Sequence, residues 1–419
     1  MSKTTWPHIA LGDPACASID RGVSWSKSDE GESGIKVVAI PDVRSGIINF
    51  ACKVRLTCPI SPRKLLTKGD ILLVGSSGAS KNVGRSAIVR STPKPPTTFA
   101  SFLARIRPTS GVNAHFIAYA LQSHLVNFED HSKRAADGKY NLQVESLRSQ
   151  IIPHPPKPEQ EKIAAVLWKV QRAIEVEEKL IATTRELKQS AMRRLFTHGL
   201  RGEQQKQTDI GRIPQSWRVC SLAQTARLER GRFMHRPRNE PRFYGGKTPF
   251  VQTGDVVRSQ GWIRNHTQTL NDEGVTISRI FPRGTILITI AANIGFTGIL
   301  DYDCACPDSL VGITPGPEVD NWYLGYYLQT QQADMDRQAP KGTQKNINIQ
   351  FLTPWPVVVP PLGEQKEIAR TLQTIDRKIS LHERKRTNLQ DLFQTLLHQL
   401  MTAQIRVDKL DIDTSEVRQ

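Results

Sequence analysis

The chain has 419 residues, enough for two to three domains with separate cores. Hydrophobic residues make up 38% of it, which excludes wholesale disorder, and no run of about 18 apolar residues is present to cross a membrane as a helix. Lysine and arginine number 57 against 40 acids, a net charge of +17, so the surface attracts polyanions, nucleic acid first among them.

The chain opens on MSKTTWPHIA, which lacks the basic-then-apolar pattern of a secretory leader. In KGDILLVG a glycine turn leads into an apolar run, which predicts a buried strand over residues 71–74. GSSGASKN follows at 75–82, but the phosphate-loop pattern G-x-x-x-x-G-K-[ST] is absent because Lys81 follows Ser80. Ser76, Ser77, Lys81, Asn82 and Arg85 read instead as a polar loop able to meet DNA. HFIAYALQS has helical spacing. After it Lys133, Arg134, Lys139 and Tyr140 make a basic stretch, the second DNA-binding candidate of this half. These residues, 1–155, form a first module of mixed α and β character, and a helix over 156–203 follows it.

The second module, 204–358, is most basic near its start. Arg227, Arg230, Arg232, Arg236, Arg238, Arg242 and Lys247 crowd one stretch, with Phe233, Phe243 and Tyr244 between them and only Glu229 and Glu240 opposing. Arginine forks suit phosphates and guanine edges, and the Gly-Arg-Phe and Tyr-Gly-Gly turns favour a loop over a helix face. TILITI, at 285–290, predicts a second buried strand, followed by Asn293 in a short polar turn, and WYLGYYLQT predicts a helix. Lys341, Gly342, Thr343, Gln344 and Lys345 then form a polar, basic loop. A second long helix falls in 359–405 and a tail in 406–419.

The two halves repeat each other. PPKPEQEKIAAVL begins at Pro155 and PPLGEQKEIARTL at Pro360. At that offset Ile163 matches Ile368, Leu167 matches Leu372, Val170 matches Ile375 and Ile174 matches Ile379. KGDILLVG matches RGTILITI, VNAHFIAYALQS matches VDNWYLGYYLQT, and Trp6 matches Trp217, all in the same order. Within the second helix Ile368, Leu372, Ile375 and Ile379, then Leu389, Phe393, Leu396 and Leu400, alternate steps of four and three, the seam of a coiled coil. The first seam runs through Ile163, Leu167, Val170, Ile174, Ile181 and Leu195, and both are polar in the middle. A helix of roughly 38 residues is about 57 Å long and marginal alone in water, so each needs a partner, and the simplest is the other. The fold expected is α+β: two similar modules in tandem, each followed by a long helix, the two helices pairing with each other as a coiled coil.

Reacting constellations do not show. No Asn/Asp-Pro-Pro-aromatic stretch of an amino methyltransferase and no H-E-x-x-H is present, and Asp42, Asp255 and Asp308 have no Glu-x-Lys at nuclease spacing. The six cysteines, Cys16, Cys52, Cys58, Cys220, Cys304 and Cys306, include no C-x-x-C, so reduced thiols without metal are expected, as in a cytoplasmic protein. These absences favour binding over catalysis.

Four features together resemble the specificity subunit of type I restriction-modification systems: IGRIPQSWRVCSLAQTA at 210–226, KGTQKNINIQFL at 341–352, the PPLGEQKEIARTL helix start, and the duplicated layout. The resemblance implies a non-catalytic chain with two target recognition domains, each reading one half of a bipartite double-stranded DNA site. It implies that the two long helices pair as an antiparallel coiled coil and hold the domains apart. It further implies partners: two modification subunits carrying S-adenosylmethionine for adenine methylation, and restriction subunits using ATP and Mg for cleavage. No cofactor is expected on this chain. A target split by one helical turn places both halves on one face of the duplex, about 34 Å apart. The first half departs from the pattern: its start, MSKTTWPHIALGD, is abbreviated, and its loop has DGKYN where the second has KGTQKN. A DNA-binding coiled-coil adaptor and a diverged methyltransferase or nuclease are the alternative readings.

Overall fold

Each buried apolar run follows a left-handed turn that favours glycine. Gly69 (φ 91°) and Gly284 (φ 87°) reverse the chain into Ile71–Val74 and Ile286–Thr289, strands in which every residue is buried. This is seen in a computed structural model that describes residues 6–44, 46–123, 126, 128, 132–134, 138–340 and 345–418. In the first module the sheet order is Ala17–Arg21, Leu103–Pro108, Ile71–Val74, Ser86–Ile88. In the second it is Ala226–Arg230, Leu310–Pro315, Ile286–Thr289, Thr297–Leu300, with Trp262–Ile263 added in parallel at the edge. The two sheets share one order and one antiparallel register.

Each module adds a smaller sheet and one packing helix. Glu30–Val38 lies between Thr97–Phe99 and Val54–Leu56 in the first, and Tyr244–Phe250 lies between Gln268–Leu270 and Cys304–Ala305 in the second. The packing helices are Ala114–Gln122 and Asn321–Gln338. Both begin at an N-cap whose side chain accepts from the third helical amide: Asn113 from Phe116 N at 3.0 Å, Asp320 from Tyr323 N at 2.9 Å. A short antiparallel pair closes each module, His8–Ala10 with Ile151–Pro153 and Arg218–Ser221 with Pro356–Val359.

The long helices are Lys157–His198 and Leu362–Met401. The chain divides into two units, Met1–Lys179 with Glu383–Gln419, and Leu180–His382. Each unit therefore holds one module, the start of the long helix that follows it, and the end of the other long helix. In the first unit Ile163 and Leu167 share one core with Phe393, Leu397, Leu400 and Met401 and with the module. In the second, Met192, Leu195 and Phe196 share one core with Ile368, Leu372 and the module. In both, the start of one helix meets the end of the other, so the helices pack antiparallel.

The repeated Glu-Gln pair fastens these parts together. The buried Glu159 accepts from Trp6 Nε1 at 3.2 Å and pairs with Arg406, just beyond the end of the second long helix, at 2.5 Å. The buried Glu364 accepts from Trp217 Nε1 at 3.1 Å and from the backbone N of Leu200, just beyond the end of the first, at 2.7 Å. Gln160 accepts from Asn113 N at 2.9 Å and donates to Pro155 O at 2.8 Å; Gln365 accepts from Asp320 N at 2.8 Å and donates to Pro360 O at 2.8 Å. One dipeptide thus ties a helix start to its module's tryptophan, to its packing helix and to the opposite helix end.

Aromatic packing repeats the pattern. Tyr119 meets Phe393 at 5.9 Å, and Phe196 meets Tyr323 and Tyr327 at 5.3 and 5.7 Å. Towards the helix middles the seam turns polar, as expected, and is ion-paired. Lys385 bonds the buried Glu177 at 2.6 Å, and Lys188 bonds Asp376 at 2.7 Å, where Tyr326 Oη also donates at 2.6 Å. A slip by one turn would take Lys385 away from the buried Glu177, at a cost of about 3–5 kcal/mol, and would part the half-buried Lys188 and Asp376, so the pairs favour a single alignment.

Of the seam residues, Ile163, Leu167, Ile181, Leu195, Ile368, Leu372, Ile379, Phe393 and Leu400 are buried. Val170, Ile174, Ile375 and Leu396 pack half-buried against the cores. One position departs from the expected seam. Leu389 is half-buried and joins none of the cores, and Leu397, outside the expected seam, is fully covered beside Leu396. The cause is geometric: a helix with 3.6 residues per turn drifts off a strict seven-residue seam, and the module, not only the other helix, covers its end.

Replacing Glu364 by Ala is expected to destabilise the full chain by about 2–4 kcal/mol, since two donors lose a charged acceptor inside the core. Glu364→Gln, which keeps one acceptor, loses less, and Glu318→Ala, removing an exposed ion pair with Arg218, shifts stability by no more than about 0.5 kcal/mol. Chemical denaturation of the three variants checks the ranking.

Candidate nucleic-acid interface

Two sequence candidates of the first module turn out to be one site. Tyr140–Leu142 pairs on one side with Ser132–Arg134 and on the other with Ser76–Ser77. The loop after the buried strand and the basic stretch therefore form a single three-stranded ribbon. Arg21, which the sequence reading passed over, fastens it by donating to Leu142 O at 2.5 Å. Nothing in the sequence marks this arginine; its role comes from the strand register.

Within that ribbon the residues divide. Ser76 and Ser77 are each only 7% exposed, so they are frame and not contact surface. Asn82 Nδ2 donates to Ser77 Oγ at 3.2 Å, and Arg85 donates to Asn82 Oδ1 at 3.3 Å and to Ile40 O at 2.9 Å. Asn82 and Arg85 are thus struts that shape the loop, because a polar group under a turn is more stable bonded to backbone than bare. Lys81, Arg134 and Lys139 are exposed and Tyr140 is half-buried beside them. The Lys133 side chain lies outside the described residues.

The second module builds the corresponding site from the corresponding stretches. Ala291 bridges to Asn346, and Ile347 N donates to Ile290 O at 2.9 Å. This brings the exposed Asn293 turn beside Lys345, which pairs with Asp336 at 2.9 Å. Ala292, at φ 63°, holds that turn in a left-handed conformation unusual for a residue with a Cβ. Lys341, Gly342, Thr343 and Gln344 lie outside the described residues.

The arginine-rich stretch is more structured than a loop. Arg230 ends the strand Ala226–Arg230 and Lys247 lies exposed within Tyr244–Phe250. Phe233, Phe243 and Phe250 are buried under the stretch in one small core. Three of the arginines converge on one acid: Arg230 Nε donates to Asp308 O at 2.7 Å, Arg236 pairs with Asp308 Oδ2 at 2.9 Å, and Arg238 pairs with Asp308 Oδ1. Arg232 donates to Ser278 O at 3.2 Å, and Arg242 stacks over Phe243 at 4.5 Å. The side chains of Arg236, Arg238 and Arg242 remain 50%, 43% and 57% exposed, so the face stays positive and open.

The acids weighed for nuclease chemistry are engaged elsewhere. Asp42 and Asp255 each accept from the backbone amide three residues earlier, Ala39 and Gln252, at 2.9 Å, and Asp308 gathers arginines. All six cysteines are free thiols, and burial pushes the Cys16 thiol up to about 11 and Cys304 up to about 12, so both stay protonated.

With this geometry in hand, comparison with known proteins is decisive. A family model described as the type I restriction modification DNA specificity domain matches residues 26–184 and again residues 214–391. The chain belongs to this family. It carries the specificity domain twice, as the internal repeat requires. A Methanocaldococcus jannaschii protein named as the specificity subunit of the type I restriction enzyme MjaX is 26% identical over 349 residues, covering 81% of this chain and 79% of its own. The MjaVIII specificity subunit of the same organism is 25% identical over 275 residues, 62% of this chain and 63% of that one. Among solved structures, the S subunit of a type I system from M. genitalium superposes with a TM-score of 0.63 at 15% identity, covering 96% of this chain and 97% of that. A chain from a structural study of complex assembly in a type I system gives 0.56 at 19% identity, with 96% and 99% covered. These likenesses show the tandem specificity-domain fold. No described helix is long and apolar enough to cross a membrane.

Arg134→Ala with Lys139→Ala is expected to weaken duplex DNA binding at low salt and to reduce the slope of log affinity against log salt by about 1–2. Asn82→Ala is expected to act through loop order, lowering affinity without changing that slope. Fluorescence anisotropy titrations over a salt series measure both.

Proposed function

We propose that this chain is a DNA-reading scaffold in which each specificity domain reads one half of a bipartite double-stranded site and directs partner subunits to it. The carrying observation is that two modules of one frame, fixed by matched Glu-Gln anchors, present chemically different faces: a ribbon with Lys81, Arg134 and Lys139 in one, a turn at Asn293 with Lys345 and an arginine face in the other. Equal frames with unequal faces are what reading two different sequences requires, since backbone contacts position a protein and base edges specify it. The chain itself is non-catalytic in this reading. Adenine methylation resides in two modification subunits that hold S-adenosylmethionine, and cleavage in motor-nuclease subunits that use ATP and Mg²⁺, all acting on DNA in the cytoplasm.

The second unit offers a surface suited to such a partner. A groove of about 1000 Å³ has an apolar floor of Phe196, Tyr327, Phe351 and Trp355 and a basic rim of Arg193 and Arg212. Apolar anchors within a charged rim are the composition of a protein interface rather than of a phosphate cradle.

Mapping methylated adenines across the host genome with and without the gene tests the reading. One split motif is expected to lose methylation on deletion, giving both half-sites and the spacer. A chain that transfers a methyl group unaided, or a deletion that changes nothing while a modification subunit co-purifies and is active, would contradict it.

A further inference from the structure

The arginine face of the second module is organised by a residue that the first module lacks. The two main sheets give the comparison a register. Arg21 stands opposite Ala104 and Arg230 opposite Val311. The next residue bonds alike in both, Gly22 N to Leu103 O at 3.3 Å and Gly231 N to Leu310 O at 2.9 Å. Each arginine then donates to a backbone carbonyl two residues before that leucine, Arg21 to Ser101 O at 3.5 Å and Arg230 to Asp308 O at 2.7 Å. The frame contact is common. The side chain at the accepting position is a serine in one module and an aspartate in the other.

That aspartate changes what the neighbouring segment can do. Its two carboxylate oxygens take one arginine each, Arg236 at 2.9 Å and Arg238, while Arg236 also donates to Phe233 O and His235 O at 2.7 and 2.8 Å. Two like charges are thereby held side by side on a face that stays half exposed. The equivalent segment of the first module, residues 23–36, carries Asp29, Glu30 and Glu32 against Lys27 and Lys36, whereas residues 231–247 carry five cations against Glu240. A guanidinium locked by an acid behind it keeps its fork geometry, and a fork of fixed geometry discriminates where a mobile one only attracts.

We propose that Asp308 is a positioning residue for DNA recognition: it fixes Arg236 and Arg238 as a paired fork on the second module, which makes that module's half-site the more stringently read of the two. This rests on the DNA-reading function proposed above. Asp308 itself does not touch DNA in this account; its negative charge restrains non-specific attraction while its geometry serves the specific complex.

The test uses the full chain and duplexes of two kinds, one carrying the site found by methylation mapping and one unrelated, over a salt series. Asp308→Asn is expected to bind unrelated DNA more tightly, with the salt slope steeper by about one, and to narrow the ratio of specific to unrelated affinity about tenfold. Asp308→Glu is expected to restore most of that ratio. If Asp308→Asn does not fold, Asp308→Ser, which installs the residue used at the same position of the first module, gives the same readout. An unchanged ratio in Asp308→Asn, with Arg236→Ala/Arg238→Ala weakening binding, overturns the positioning role. An unchanged affinity and salt slope in the double arginine variant overturns the arginine face as a contact surface. Failure of DNA reading itself shows separately, as an unmodified chain that does not distinguish the two duplexes.

Discussion

A buried carboxylate at the start of each long helix is the contact on which the rest of the fold depends. Glu159 and Glu364 are 4% and 3% exposed, and each collects donors from its module and from the opposite helix end. A charge there is tolerated only because every donor is in place, so the module, the helix start and the helix end must assemble together. The glutamine that follows performs the same task with neutral bonds. This is the physical reason for a phrase written twice: the chain solves one joining problem at two places.

Fixing the join frees the rest to differ. The main sheets, the packing helices and the anchors follow one plan in both halves, while the exposed loops do not. Ser76 and Ser77 are paired into a ribbon in one module; the same place in the other is a short turn with Ala292 in a strained conformation. Such a division suits a protein whose frame is constrained by packing and whose faces are constrained only by what they bind.

Much of this was legible in the sequence. Periodicity and repetition located the buried strands over 71–74 and 285–290, both packing helices and the two long helices, because burial writes itself into spacing; the antiparallel direction of the helix pair came from the family resemblance. The site was less legible. The polar loop and the basic stretch of each module lie far apart in sequence, and only strand pairing joins them. Arg21 and Asp308 carry no local signature, since their roles come from register. Ser76, Ser77, Asn82 and Arg85 illustrate the opposite error: polar residues after a strand suggest contact with solvent or ligand, but here the two serines are buried, and Asn82 and Arg85 bond to Ser77, to each other and to Ile40 O. The coiled-coil seam missed Leu397 because a seam rule assumes one partner, and these helix ends have two.

The most direct measurement is the affinity of the full chain for duplexes altered in one half-site or the other, before and after Asn293→Ala with Lys345→Ala. If the two modules read independently on a common anchor, the penalty for base changes in one half-site shrinks and that for the other stays. If both penalties shrink together, the modules do not act as separate readers and the account fails.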